Sequence, residues 1–155
     1  MKNRLTILLI ITLFLSFQAV AQLQKSEDGL YYDANQMLYT GDYVEFYDDG
    51  QMKIEMSIKN GQADGKSTIY FLNGEIQEVR SYEQGRMHGE WLSYLKDGNL
   101  KAKAYYFKNK KDGHWEIYDS NGNLRTEMYY EKGEKIGIWR MYNPDGEVIS
   151  EQTYD

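Results

Sequence analysis

The sequence contains no cysteine. That removes disulfides, thiolate metal sites and cysteine nucleophiles in one step. Histidine is nearly absent too, with only His88 and His114. Metal centres generally need three or four ligands with supporting partners, so these two are read as solvated turn and strand residues, and no metal or cofactor site is expected. Large aliphatic side chains are scarce: beyond position 21 the chain has only 8 Leu, 8 Ile, 3 Val and 3 Phe. With a high net charge, so low a fraction ordinarily marks disorder. Catalytic patterns are missing as well. Ser67, Ser81 and Ser93 lack a G-x-S-x-G context. Glu127 and Glu131 have no evident pocket to separate their pKa values. Asp48-Asp49-Gly50 lacks the spaced carboxylates and closing Glu of a calcium loop. No catalytic residues are expected, and a glycan-acting enzyme is the least favoured reading.

The N-terminus differs from the rest. Lys2 and Arg4 precede an apolar run over 5–17, and Ala19-Val20-Ala21 follows with small residues at the two positions a signal peptidase inspects. Residues 1–21 are expected to be a secretory signal peptide cleaved before Gln22. The run is too short for a spanning helix, which needs roughly 20 apolar residues, so no stable membrane insertion is expected after cleavage. No cysteine is present for lipidation. Cleavage removes two cations and no acid, taking the net charge from −6 to −8. That acidity disfavours nucleic acid and anionic membrane surfaces as partners.

What the sequence has in quantity is tyrosine, tryptophan and glycine. All 15 Tyr and all 3 Trp lie beyond position 21, and their spacing is regular. Glycines stand at 41, 65, 89, 113 and 137 and again at 50, 74, 98, 122 and 146, each series with a 24-residue period. Gly61, Gly85 and Gly133 keep the same period, with Asn109 in the missing place. Asn is the residue after Gly that best tolerates positive φ. The units are 41–64, 65–88, 89–112, 113–136 and 137–155. Their third position holds Tyr43, Ser67, Trp91, Trp115 and Trp139. Their sixth holds Phe46, Tyr70, Tyr94, Tyr118 and Tyr142, and their eighteenth Ile58, Tyr82, Tyr106, Tyr130 and Tyr154.

Each unit reads as two strands around Asp49-Gly50 or its equivalent, and such pairs are strong signals for a type I′ hairpin turn. A longer polar turn containing the other glycine links each unit to the next. Turn signals twice in every unit, with this much glycine, exclude helices. The expected fold is all-β: an extended, single-layer antiparallel meander of tandem 24-residue hairpins, about ten or eleven strands, twisted or trough-shaped. Residues 22–29 are expected as a flexible lead and 30–40 as a partial leading hairpin. One hairpin of this composition cannot bury enough surface alone, so each aromatic residue is expected to cover its counterpart one repeat away.

The pattern G-x-W-x-x-Y-x-x-[DN]-G-x-[LIV] is carried by Gly113, Trp115, Tyr118, Asn121, Gly122 and Leu124, and its opening recurs at Gly89-Glu90-Trp91 and Gly137-Ile138-Trp139. The linking stretch Y-x-x-G-x-x-x-G runs from Tyr82 to Gly89 and again from Tyr130 to Gly137. Over residues 30–155 these units resemble the MORN repeat variant family, bacterial proteins often labelled as antitoxins of toxin–antitoxin systems. The resemblance implies an extended β-hairpin array with a role in interaction and carries no catalytic residues.

The function expected is therefore that of a non-catalytic exported protein, periplasmic, outer-surface or secreted, that binds a protein or glycan polymer or scaffolds the cell envelope. An antitoxin or immunity-type inhibitor is the alternative. The candidate binding surface is aromatic: Tyr43, Trp91, Trp115 and Trp139 with Tyr70, Tyr94, Tyr118 and Tyr142, since Tyr and Trp are enriched at interfaces. Lys101, Lys103, Lys108, Lys110 and Lys111 form a local basic patch on the acidic chain.

Overall fold

The computed structural model describes residues 23–155; the signal peptide expected at 1–21 lies outside the described residues. Two short strands come first, β1 Gln24–Lys25 and β2 Tyr31–Tyr32. Then follow β3 Gly41–Phe46, β4 Met52–Lys59, β5 Gln62–Tyr70, β6 Ile76–Glu83, β7 Arg86–Met87, β8 Gly89–Tyr94, β9 Leu100–Phe107, β10 Lys110–Tyr118, β11 Leu124–Glu131, β12 Glu134–Tyr142 and β13 Val148–Tyr154. From β3 onward these form one open antiparallel sheet of 11 strands in the order β13-β12-β11-β10-β9-β8-β6-β5-β4-β3, with β7 also on β6. β7 and β8 are halves of one strand interrupted at His88. The all-β meander with a 24-residue period is the observed architecture.

The two kinds of turn exchange their expected roles. At Asp49-Gly50 and its equivalents only the glycine has positive φ, whereas type I′ requires it at both central residues. Gly50 N–H donates to Tyr47 O at 2.9 Å and Tyr47 N–H donates to Gln51 O at 2.8 Å. This closes a three-residue loop with the glycine at the bulge position. Acceptor side chains hold the form: Asp49 Oδ1 takes the Gln51 N–H, Asp97 Oδ1 the Asn99 N–H, and Asp119 Oδ1 both Asn121 and Asn123 N–H.

Positive φ at two successive residues occurs instead in the links, at Asn60-Gly61, Gln84-Gly85, Lys108-Asn109 and Lys132-Gly133. The strand pairs Lys59↔Gln62 and Glu131↔Glu134 close directly around them, so these are tight two-residue turns. Each is tied to the unit before. Gly61, Gly85, Asn109 and Gly133 donate their N–H to the carbonyls of Tyr39, Ala63, Met87 and Lys111 at 2.7–2.9 Å. Thr40 Oγ1, Asp64 Oδ2 and Asp112 Oδ1 accept from the N–H of Asn60, Gln84 and Lys132. The links therefore stack one on another.

At the N-terminal end, Gln24–Lys25 pairs with Tyr31–Tyr32 inside the region expected as a lead and partial hairpin. Tyr31 N–H donates to Gly61 O and Tyr39 N–H to Tyr31 O, so this hairpin caps the first link. The buried apolar side chains among the described residues are few, namely Met56, Ile58 and Tyr130. The sheet has no conventional centre; its interior is a line of side chains running across the strands.

Candidate functional site

Register decides what each aromatic position does. The third position of a unit pairs with the sixteenth, as in Tyr43↔Met56 and Trp115↔Met128, and the eighteenth faces the first. Side chains alternate across a strand, so positions three and eighteen share one face. There they form a zigzag of rings, Tyr82–Trp91–Tyr106–Trp115–Tyr130–Trp139–Tyr154, with centroids 4.8–5.8 Å apart. Each Trp touches a Tyr of the preceding unit and a Tyr of its own, rather than its counterpart one repeat away. Tyr43 meets Tyr31 of the leading hairpin at 5.8 Å.

The indole N–H groups are used within the fold. Trp91, Trp115 and Trp139 donate Nε1–H to the carbonyls of Ser81, Tyr105 and Tyr129 at 3.0–3.2 Å. Lys111 Nζ sits 4.5 and 4.8 Å from the Trp115 and Tyr130 rings, and Lys135 repeats this over Trp139 and Tyr154 at 4.4 and 4.8 Å. Cations over ring faces add to stacking. One member of the expected basic patch is thus part of the ladder. Lys103 is engaged elsewhere, 3.3 Å from Glu90.

The sixth position lies on the opposite face. Tyr70 O–H donates to Glu55 Oε1 at 2.6 Å and Tyr142 O–H to Glu127 Oε1 at 2.7 Å. In both pairs the acid is the fifteenth residue of the preceding unit. The Tyr70 phenol is raised above its ordinary pKa by the hydrogen bond to Glu55 and by burial. Burial and Glu127 raise Tyr142, and burial and Glu116 raise Tyr118. For Tyr94 the fifteenth residue of the unit before is Val79, so this ring has no acid waiting across the strand. All four tyrosines stay half-exposed, and Phe46 at the head of the column is exposed.

Glu127 is the hub of this face and is 9 % exposed. Besides Tyr142 it accepts from Arg140 Nη1 at 2.8 Å, and Arg140 Nε bonds Glu151 at 2.6 Å. Burial pushes the Glu127 carboxyl up, but the hydrogen bonds from Arg140 and Tyr142 and the charge of Arg140 outweigh it and hold the pKa below the ordinary value. His114, expected as a solvated strand residue, is half-buried and stacks on Tyr129 with centroids 4.5 Å apart and planes at 10°. Its Nε2 is 3.6 Å from Glu127 Oε2. Among the described residues no three His, Asp or Glu side chains gather into a cation-binding group.

The MORN repeat variant profile matches residues 39–60, 63–84, 87–109, 111–132 and 135–155. The matches begin at successive intervals of one repeat and span most of the chain. The chain belongs to the MORN repeat variant family. Repeats of this kind are often protein- or lipid-binding modules. Among curated proteins none matches the chain. In this MORN repeat variant protein the second to fifth matched stretches each start just after a tight link, and the first four end in or beside the next one. The matched stretches share the 24-residue period of the glycine series at 41, 65, 89, 113 and 137 and begin two residues before it.

The eight residues singled out as one aromatic surface are divided by the sheet. Tyr43, Trp91, Trp115 and Trp139 belong to the ladder, and Tyr70, Tyr94, Tyr118 and Tyr142 to the other face. Sequence reasoning does not assign Glu55 or Glu127 to the tyrosine face, weighing Glu127 only as a carboxylate beside Glu131, and it does not assign Lys111 or Lys135 to the ladder, reading Lys111 only as part of the basic patch. The lysines carry a readable signal, because they are themselves one repeat apart and each stands four positions before a Trp. The acids carry none, because position fifteen is Glu55, Val79, Lys103, Glu127 and Glu151.

Proposed function

We propose that this MORN repeat variant protein is a non-catalytic binding module, exported to the cell envelope, that docks a protein or glycan polymer on its tyrosine face. The observation that supports the reading is the column of half-exposed rings on the face opposite the ladder. Its members recur at a fixed period and are not stacked on one another, so their ring surface stays available. Rigid aromatic rings give large contact area at small entropic cost, which suits a recognition surface.

The test uses purified protein from position 22 onward, mixed with envelope extract and, separately, with insoluble cell-wall polymer. The double variant Tyr94→Ala, Tyr118→Ala is the control, with circular dichroism to confirm that the sheet is intact. Retention of a partner or of polymer by the parent, lost in the folded variant, supports the reading. Equal retention by both would place binding elsewhere. A captured toxin whose activity the protein blocks would support an inhibitor instead. Export is checked independently: the cell-derived protein begins at Gln22 by mass spectrometry if the leader is removed as expected.

A further inference from the structure

The ladder has a gap. At the third position of the second unit stands Ser67 in place of an aromatic ring, and Ala63 stands where later units have Lys111 and Lys135. Both the ring and the long side chain over it are absent at one rung. Ser67 is itself buried, at 3 % exposure. A cavity of about 440 Å³ lies there, with Ile54, Met56 and Ala63 on one side and Tyr82 and Arg80 on the next strand. The leading hairpin, through Leu30 and Tyr31, forms its other wall. Its volume falls within the range of about 300–1,000 Å³ typical of small-molecule sites.

The rest of the ladder specifies what fits. The ladder positions flanking this place are Ile58, the eighteenth residue of the preceding unit, and Tyr82, where Trp115 has Tyr106 and Tyr130; Tyr31 of the leading hairpin stands on the cavity wall beside them. The three tryptophans each donate an indole N–H to the carbonyl ten residues earlier. For position 67 the corresponding acceptor is the Ser57 carbonyl, beside the Met56 wall, and Ser67 carries no ring N–H to offer it. Each charged side chain at the rim is already engaged: Lys25 Nζ lies 5.4 Å from the centroid of the Tyr31 ring. Arg80 is paired with Glu78 at 2.7 Å and lies 5.1 Å from the Trp91 ring, while Asp28 takes hydrogen bonds from Ser26 and the Leu30 N–H. A full charge on the ligand is not called for.

We infer that the cavity at Ser67 is a binding site for a neutral, N–H-bearing planar aromatic heterocycle of indole size, which completes the missing rung of the ladder. Such a ring comes either from a free small molecule or from a tryptophan side chain on a partner.

The experiment is calorimetric titration of the protein from position 22 onward with indole, 1-methylindole and N-acetyl-tryptophan amide. Indole binds, and 1-methylindole binds about fivefold more weakly, the value of one hydrogen bond. Binding of the tryptophan amide at least as tightly as indole assigns the ring to a partner side chain; binding of indole alone assigns it to a free molecule. Ser67→Trp supplies the rung from within and reduces indole binding by more than about tenfold while raising the melting temperature. Ala63→Met, which copies Met87 of the next unit, narrows the cavity and keeps the test open if Ser67→Trp does not fold. Absence of indole binding, equal affinity for 1-methylindole, or unchanged binding in folded Ser67→Trp or Ala63→Met would overturn the inference.

Discussion

The indole N–H of Trp115 donates to the main-chain carbonyl of Tyr105 at 3.0 Å. The bond crosses from β10 to β9 and holds the ring in place between Tyr106 and Tyr130. It gives the tryptophan a structural task that a phenylalanine cannot perform. Trp115→Phe keeps most of the ring surface and loses the donor, so it is expected to cost about 1 kcal/mol. Tyr130→Ala removes a buried ring touching two tryptophans and is expected to cost about 3–5 kcal/mol. Urea unfolding measures both. A Phe variant as stable as the parent would show that the N–H bond contributes nothing net.

The links give a second prediction. Lys132 and Gln84 occupy left-handed backbone with φ of 48° and 49°, where side chains bearing Cβ are unfavourable. The first link already has Asn in that position. Gln84→Asn and Lys132→Asn are each expected to raise stability by roughly 0.5–1 kcal/mol, read as higher midpoints in denaturant. Losses of that size would show that the native side chains make contacts outweighing the backbone relief.

Acid exposes the role of Glu127. Its folded pKa lies below the unfolded value of about 4.3, so its stabilising contribution is complete above that value. It is lost as pH falls through the folded value. Glu45 and Glu90 are depressed in the same sense. Melting temperatures are expected to hold at neutral pH and to fall between about pH 5 and pH 3. Glu127→Gln is expected to have a lower plateau and a shallower fall. The raised phenols act in the opposite direction: the contribution of Tyr142 is present below about pH 10 and is lost as pH rises through its folded value. Tyr142→Phe is expected to lower the plateau and flatten that alkaline limb. A Glu127→Gln profile parallel to that of the parent would remove the carboxylate from the account.

A repeat sheet of this kind tolerates loss of a whole unit but not of part of one. Deleting residues 89–112 joins His88 to Gly113 and brings Tyr82 next to Trp115, with both faces in phase. The shortened protein is expected to remain a folded β-sheet with a lower melting temperature, by circular dichroism. Deleting 89–99 instead removes one strand and its turn, so that strands meet with the wrong neighbours, and no cooperative transition is expected. Two equally stable products would contradict a ladder that depends on phase.

Much of this was legible along the chain. The 24-residue period of Gly41, Gly65, Gly89, Gly113 and Gly137 carries the hairpin array, because glycines and aromatic residues at fixed intervals leave no other regular structure. The division of labour between the two turns was not legible. An Asp-Gly or Asn-Gly pair is compatible with a two-residue or a three-residue loop, and the choice rests on which N–H groups Asp49, Asp97 and Asp119 capture. The candidate surface was legible only as a set of residue types. Trp115 and Tyr118 are three residues apart and look equivalent in sequence, yet they face opposite ways and have different partners.

The sequence alone determined that this is a β-hairpin repeat, since its period and composition fit stacked strands and nothing helical. Tertiary structure alone decided which aromatics are consumed by stacking, which stay available, and that Ser67 opens a cavity. Those outcomes depend on the register between strands from different units, and register is a property of pairs of strands that no single stretch of chain contains.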